Sequence, residues 1–330
     1  MINPVFRREA VTSLRSWRSF LAVSLYVLVG LGIVVLVMAA QAGGGGGGFN
    51  PRYMLYVNNF MVGFKLVLIC IMVPAICAGT ISGERERQTL ELLLITKMST
   101  FSIVMGKLLS VLMFVGLLIV AGLPVLGVMF YFGGFSPAHL FLQTIFMLAA
   151  AAMTAGIAIL FSAVFRRSIF AIIASYLVLS LMTIGTFLFV GISYSVLLSQ
   201  HWMDTADSLV FVPFVLSPSW QSIYNFLFGI NPMVGFMSLV GEQMGGLGAD
   251  ELPMMWGFGI AGGGMDGFMP PIPFWQINIL INIGLALLGV GLAAYIIKPV
   301  KGARHERSRP GKAPRGPEAP TAQDNTGEYA

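Results

Sequence analysis

The chain has 330 residues, of which 57% are hydrophobic and only 10% charged, and its mean hydropathy is +0.85. Soluble domains carry about 25% charged residues, so this composition excludes an ordinary soluble domain and points to a polytopic membrane protein. The net charge of +5 does not argue for nucleic acid, because the Lys and Arg residues cluster at the edges of apolar runs, where they set topology.

The first predicted element is "NPVFRREAVTSLRSWRSF" at 3–20. Phe6, Ala10, Leu14 and Trp17 recur at helical spacing and form one apolar stripe, while Arg7, Arg8, Arg15 and Arg18 gather on an adjoining face. Such a helix lies along membrane headgroups, with its cations toward phosphate and Trp17 in the interface. It serves as a topology anchor or also meets a cytoplasmic partner. The apolar run 19–42 follows. It is longer than the apolar core of a secretory signal, about 7–15 residues, so it is expected to remain as a span. "GGGGGG" at 43–48 is a flexible external linker.

The second span is expected over 59–82, with Pro74 inside it. Cys70 and Cys77 lie about 10 Å apart along such a helix, too far for a disulfide, and serve packing. Lys65 is the one charge expected within the membrane. Its stem could reach the outer interface, or the ammonium could line a substrate path.

Between the second and third runs stands "ISGERERQTLELLLITKMS" at 81–99. Leu90, Leu93, Leu94 and Met98 fall on one helical face, and Arg87 with Glu91 and Glu84 with Gln88 brace the other. At about 18 residues the segment is longer than a turn between antiparallel helices, about 2–8. A membrane-anchored helix with an apolar face and an ordered charged start suits a groove on another protein.

Further spans are expected at 103–132, interrupted by Pro124, and at 138–165, 168–198 and 273–297. Pro74 and Pro124 should each kink or locally unwind their helices. Within 199–272, the run 221–240 has the length of a span but is broken at Asn231-Pro232. If it crossed, the basic tail would lie outside, so it is expected to form an external hairpin, partly re-entrant or interfacial. The stretch 257–273 is loop. The tail from about 299 to 330 is polar, basic and Pro-rich, hence disordered, with its cations near anionic headgroups. With both termini cytoplasmic, 17 of the 19 Lys and Arg residues fall inside, all but Arg52 and Lys65. The outer segments hold Asp204, Asp207, Glu242, Asp250, Glu251 and Asp266.

Chemistry within the chain is not expected. The sequence has no G-x-x-x-x-G-K-[ST] and no H-E-x-x-H, and its three histidines, His139, His201 and His305, lie in separate places. The expected spans contain no Asp or Glu, which argues against proton-coupled transport.

"GERERQTLELLLITKMS" after the second span, together with the opening 3–20 segment, resembles the membrane subunit of an ATP-binding-cassette exporter of the type-2 permease class. The family's signature runs Gly-Glu-Arg-Glu, Thr-Leu-Glu-Leu-Leu, Ser. One departure is Gln88, where the family often has Gly before the Thr-Leu-Glu. The resemblance covers about residues 1–298, the expected permease domain. It implies an all-α polytopic membrane protein with six transmembrane helices, an N-terminal amphipathic interface helix, a cytoplasmic coupling helix at 83–98, and an external helical hairpin between spans five and six.

The same resemblance implies a multi-pass protein of the cell (plasma or inner) membrane. It is not an enzyme by itself, since ATP and Mg would be bound by a separate ABC ATPase subunit and none by this chain. A second permease subunit, identical or related, and membrane lipids would be its other partners. Glu84, Arg85, Glu86, Arg87, Thr89 and Glu91 would make polar ATPase contacts, and Leu90, Leu93 and Leu94 would pack, against the ATPase or the chain's own spans. The absence of carboxylates in the spans suits a lateral route for a lipid-like or hydrophobic substrate. The alternative readings are a membrane scaffold or regulatory subunit that transports nothing, and an ion-coupled carrier or channel.

Overall fold

A computed structural model describes residues 17–43, 52–89, 99–132, 136–205, 217–243 and 273–297. Phe6, Arg7, Arg8, Leu14, Arg15, Leu90, Glu91, Leu93, Leu94 and the tail 299–330 lie outside the described residues. The described residues are helical and contain no strand. Their elements are α1 (Trp17–Gly43), α2 (Arg52–Cys77), α3 (Ser82–Glu86), α4 (Thr100–Ala121), α5 (Leu123–Phe132), α6 (Pro137–Val164), α7 (Ser168–Ser180), a π-helical turn (Leu181–Gly185), α8 (Thr186–Thr205), α9 (Pro218–Ile230), α10 (Pro232–Gln243) and α11 (Phe274–Ile297). In hydrocarbon a chain must satisfy its backbone within the segment, and a helix does so. Six stretches among the described residues are long and apolar enough to cross a membrane, as the runs of apolar residues predict. In order they are α1, α2, α4 with α5, α6, α7 with α8, and α11. The end that carries Arg85, Arg87, Lys107, Arg166 and Arg167 is termed the basic end.

Several boundaries differ from the expected ones. α2 starts at Arg52, seven residues before the apolar run, and takes in the polar side chains of Tyr53, Tyr56 and Asn58. Pro74 leaves α2 continuous, but the helix ends three residues later, at Cys77. The third span breaks at Gly122, between α4 and α5, beside Pro124. The fifth extends to Thr205 and contains the π-helical turn.

The fourth and sixth spans form the centre. The most apolar window of the fourth span is 67% buried, against 17% for the first and fifth, so the latter two face outward. The core face of α6 is built of small residues, Ala150, Ala151, Ala155, Gly156 and Ala158, all buried. Small side chains let helix backbones approach in a membrane, where packing replaces the hydrophobic effect. The approach is closest at Gly156 and Gly289. A Cβ on Gly156 would meet the Cα of Ala286 at 2.8 Å, and one on Gly289 would meet the carbonyl oxygen of Gly156 at 2.6 Å. Leu66, Ile69, Phe114 and Phe146 from the second, third and fourth spans fill the remaining core.

The 221–240 region is two helices, α9 and α10, bent by 92° at Asn231-Pro232. α9 runs back down the fifth span. Tyr224 packs on Val190 and Tyr194 and its hydroxyl is 2.9 Å from Ser193 Oγ. Farther down, Asn231 Nδ2 donates to Thr183 O at 3.1 Å, within the π-helical turn. Thr183 stands about 22 Å along the fifth span from Ser168 at the basic end, so the bend between α9 and α10 packs beside the middle of the α7–α8 helix. Its broken backbone is satisfied by the sixth span. Asn278 Nδ2 donates to Gly229 O at 2.7 Å and Asn231 O at 3.1 Å, and Asn282 Nδ2 donates to Asn278 Oδ1 at 2.9 Å. At the rim, Trp275 Nε1 donates to Glu242.

Candidate functional site

The short charged helix α3 is tied into the basic end of three spans. Its start carries no side-chain cap of its own. Instead Ser162 Oγ, on α6, accepts from the N–H groups of Ile81 at 2.9 Å and Ser82 at 3.0 Å, which satisfies donors a helix start leaves open. Arg85 donates to the carbonyls of Ala163 at 3.1 Å and Phe165 at 3.5 Å. These lie at the end of the fourth span, where carbonyls lack helical partners and a cation is favoured.

Glu84 faces the third span. Lys107 Nζ donates to Glu84 Oε1 at 2.9 Å and to Thr80 O at 3.1 Å, and Lys107 is only 1% exposed. Glu86 faces the fifth span. Ser168 donates to its carboxylate from the backbone N–H at 2.7 Å and from the hydroxyl at 2.9 Å. Ser168 opens α7, whose N-cap Arg167 supplies no capping hydrogen bond, so Glu86 is the anion at that helix start. The Ser168 N–H, then its hydroxyl, hold the Glu86 carboxyl below its ordinary range against an opposing desolvation, with the Arg167 and Arg87 charges adding to the effect.

α3 ends at once. Gln88 has φ 57°, its N–H donates to Arg85 O at 3.1 Å, and the Thr89 N–H donates to Glu84 O at 2.9 Å. That pair of bonds around a left-handed residue is a Schellman stop. A side chain in this conformation costs about 1 kcal/mol or more relative to glycine, so Gln88 holds this turn at some strain. Segment 83–98 is therefore not one continuous helix, since the chain turns at 87–89. Arg87, Gln88 and Thr89 are exposed. The structure thus separates the predicted contact residues, with Glu84, Arg85 and Glu86 bonded to the chain's own spans and Arg87 and Thr89 turned outward.

Of the predicted interface helix, Trp17 is exposed at the start of α1, its ring 5.8 Å from that of Phe20. The helix includes Arg18, whose side chain is outside the described set. α2 begins well before the apolar run, which places Lys65 near the middle of that helix, about 20 Å from Arg52 and about 18 Å from Cys77. It is 6% exposed, and its Nζ stands 5.2 Å from the centroid of the Tyr26 ring.

A second polar group lies nearer the far end. Asn58 Nδ2 donates to Gln143 Oε1 at 3.3 Å, and Gln143 Nε2 donates to Asn59 Oδ1 at 3.3 Å and Gln243 Oε1 at 2.8 Å. It links the second and fourth spans to α10. A count of charges in the spans passes over such amides, although Asn58-Asn59 and the Asn278, Asn282 spacing are visible signals. Among the described residues no three His, Cys, Asp or Glu side chains gather as metal ligands.

Residues 3–297 match the model of a family described as "ABC-2 family transporter protein". No curated protein matches the chain.

Proposed function

Because the chain belongs to the ABC-2 family of transporter proteins and is a multi-pass transmembrane subunit, we propose that it is the membrane half of an ATP-driven exporter, coupled to a separate ATPase through residues 83–98. The observation that carries this reading is the set of bonds joining α3 to three spans at once. A push on this loop is passed to Lys107 of the third span, the last carbonyls of the fourth and the first turn of the fifth. In this division Arg87, Thr89, Leu90, Glu91, Leu93 and Leu94 meet the ATPase, while Glu84, Arg85 and Glu86 transmit its motion. A partner can shift the membrane helices only if its two nucleotide states contact this segment differently. ATP and Mg belong to the partner, and a second permease subunit completes the assembly. The absence of Asp and Glu from the apolar runs supports outward movement of a hydrophobic or lipid-like substrate without a proton relay.

Co-purification tests the division. Arg87→Glu is expected to lower the ATPase recovered with the tagged chain by about tenfold, and Glu86→Ala to leave recovery at the wild-type level while slowing ATP-driven export. Full recovery with Arg87→Glu would remove that arginine from the contact, and equal loss in both variants would remove the division.

The basic end is assigned to the cytoplasm of a cell (plasma or inner) membrane, with both termini there. In a background lacking Cys70 and Cys77, a cysteine replacing Ser308 should react with impermeant reagent only from inside, and one replacing Gly45 only from outside. The opposite pattern at either position overturns the orientation.

A further inference from the structure

Between the first four spans lies a cavity of about 260 Å³, and among its described lining residues there is no carboxylate. Lys65 lines it at 6% exposure. Among the described residues the only partner found for its ammonium is the face of Tyr26. That ring is seated by the break in the third span, since a Cβ on Gly122 would come within 2.9 Å of the Tyr26 hydroxyl. Asn58 and Gln143 stand on the same wall, and Asn58 Oδ1 is buried with no hydrogen-bond partner. A cation buried in hydrocarbon without a counter-charge is costly, and an aromatic face offsets only part of that cost.

We propose that this cavity binds the anionic headgroup of an amphiphile, a phosphate or carboxylate on an acyl chain. Its volume is below the ~300–1,000 Å³ of sites for drug-sized ligands, so it holds a headgroup and not a whole lipid. The chain must leave it, and Leu123 and Phe141, which are 54% and 66% exposed, supply an apolar rim on the third and fourth spans. With no carboxylate among the described lining residues to receive a choline or ethanolamine cation, the site selects a net negative headgroup.

The test is a thermal-shift titration of the full chain, with any ATPase it carries but without nucleotide, so the outcome does not depend on ATP coupling. The probes are dodecyl phosphate, dodecylphosphocholine and inorganic phosphate. Dodecyl phosphate is expected to stabilise the wild type, with dodecylphosphocholine much weaker and inorganic phosphate inert. Lys65→Met should weaken the dodecyl phosphate response by roughly tenfold to a hundredfold, and Lys65→Arg should retain it. Leu126→Trp, which fills the cavity while leaving Lys65 in place, should abolish it and carries the test if Lys65→Met does not fold. An undiminished response in Lys65→Met or Leu126→Trp overturns the site. An equal response to inorganic phosphate or to dodecylphosphocholine overturns the anionic-amphiphile assignment.

Discussion

Gly289→Val should prevent the fourth and sixth spans from closing on each other, and the purified protein should lose its monodisperse elution peak or melt far below the wild type. The atoms a new side chain would strike are backbone atoms, Gly156 O at 2.6 Å and Gly156 C at 2.7 Å. No rotamer change can move them aside, and the helices must separate. Overpacking of a core typically costs about 1–3 kcal/mol, and a clash with backbone along a central helix pair belongs at or above the top of that range. Gly156→Val should do the same from the other side, since its Cβ would meet Ala286 Cα at 2.8 Å. The control is on the same helix. A Cβ on Gly284 or Gly291 would meet nothing within 4 Å, so valine there should be tolerated. Equal melting of all four variants would show that the fourth and sixth spans are not packed this way.

Lys107→Met should be the most damaging single change at the basic end. It removes the ammonium bound to Glu84 and to Thr80 O and leaves a carboxylate whose Oε2 is already buried without a partner. Breaking a buried ion pair by removing one side costs roughly 3–5 kcal/mol. Glu84 retains 27% exposure, so the expected loss is at the lower end, about 3 kcal/mol. Under the proposed division the variant should still bring down its ATPase, yet the complex should hydrolyse ATP without export. Lys107→Arg should restore most of the stability. Wild-type melting and export in Lys107→Met would show that the third span is not held through this pair.

The six spans were legible because a long apolar run in lipid has only one economical backbone conformation. Their ends were less so. Nothing in the hydropathy of "RYMLYVN" at 52–58 announces a helix, so Lys65 stands deeper along α2 than the apolar run alone suggests. The opening motif "GERE" was visible as charge, but periodicity gives no direction in space, and the partners of Glu84, Arg85 and Glu86 lie from 23 to 82 residues along the chain. The turn at Gln88 was marked only by the departure from glycine. The π-helical turn left no pattern, because it becomes useful only once Asn231 arrives at Thr183 from another helix.

The bend between α9 and α10 is held by amides and a main-chain carbonyl, Asn231, Asn278, Asn282 and Thr183 O. An amide neither ionises nor hands on a proton in the physiological range, so these contacts offer no relay along which protons could leak. The bonds that join α9, α10 and α11 should therefore hold at the same strength in acid and in mild alkali.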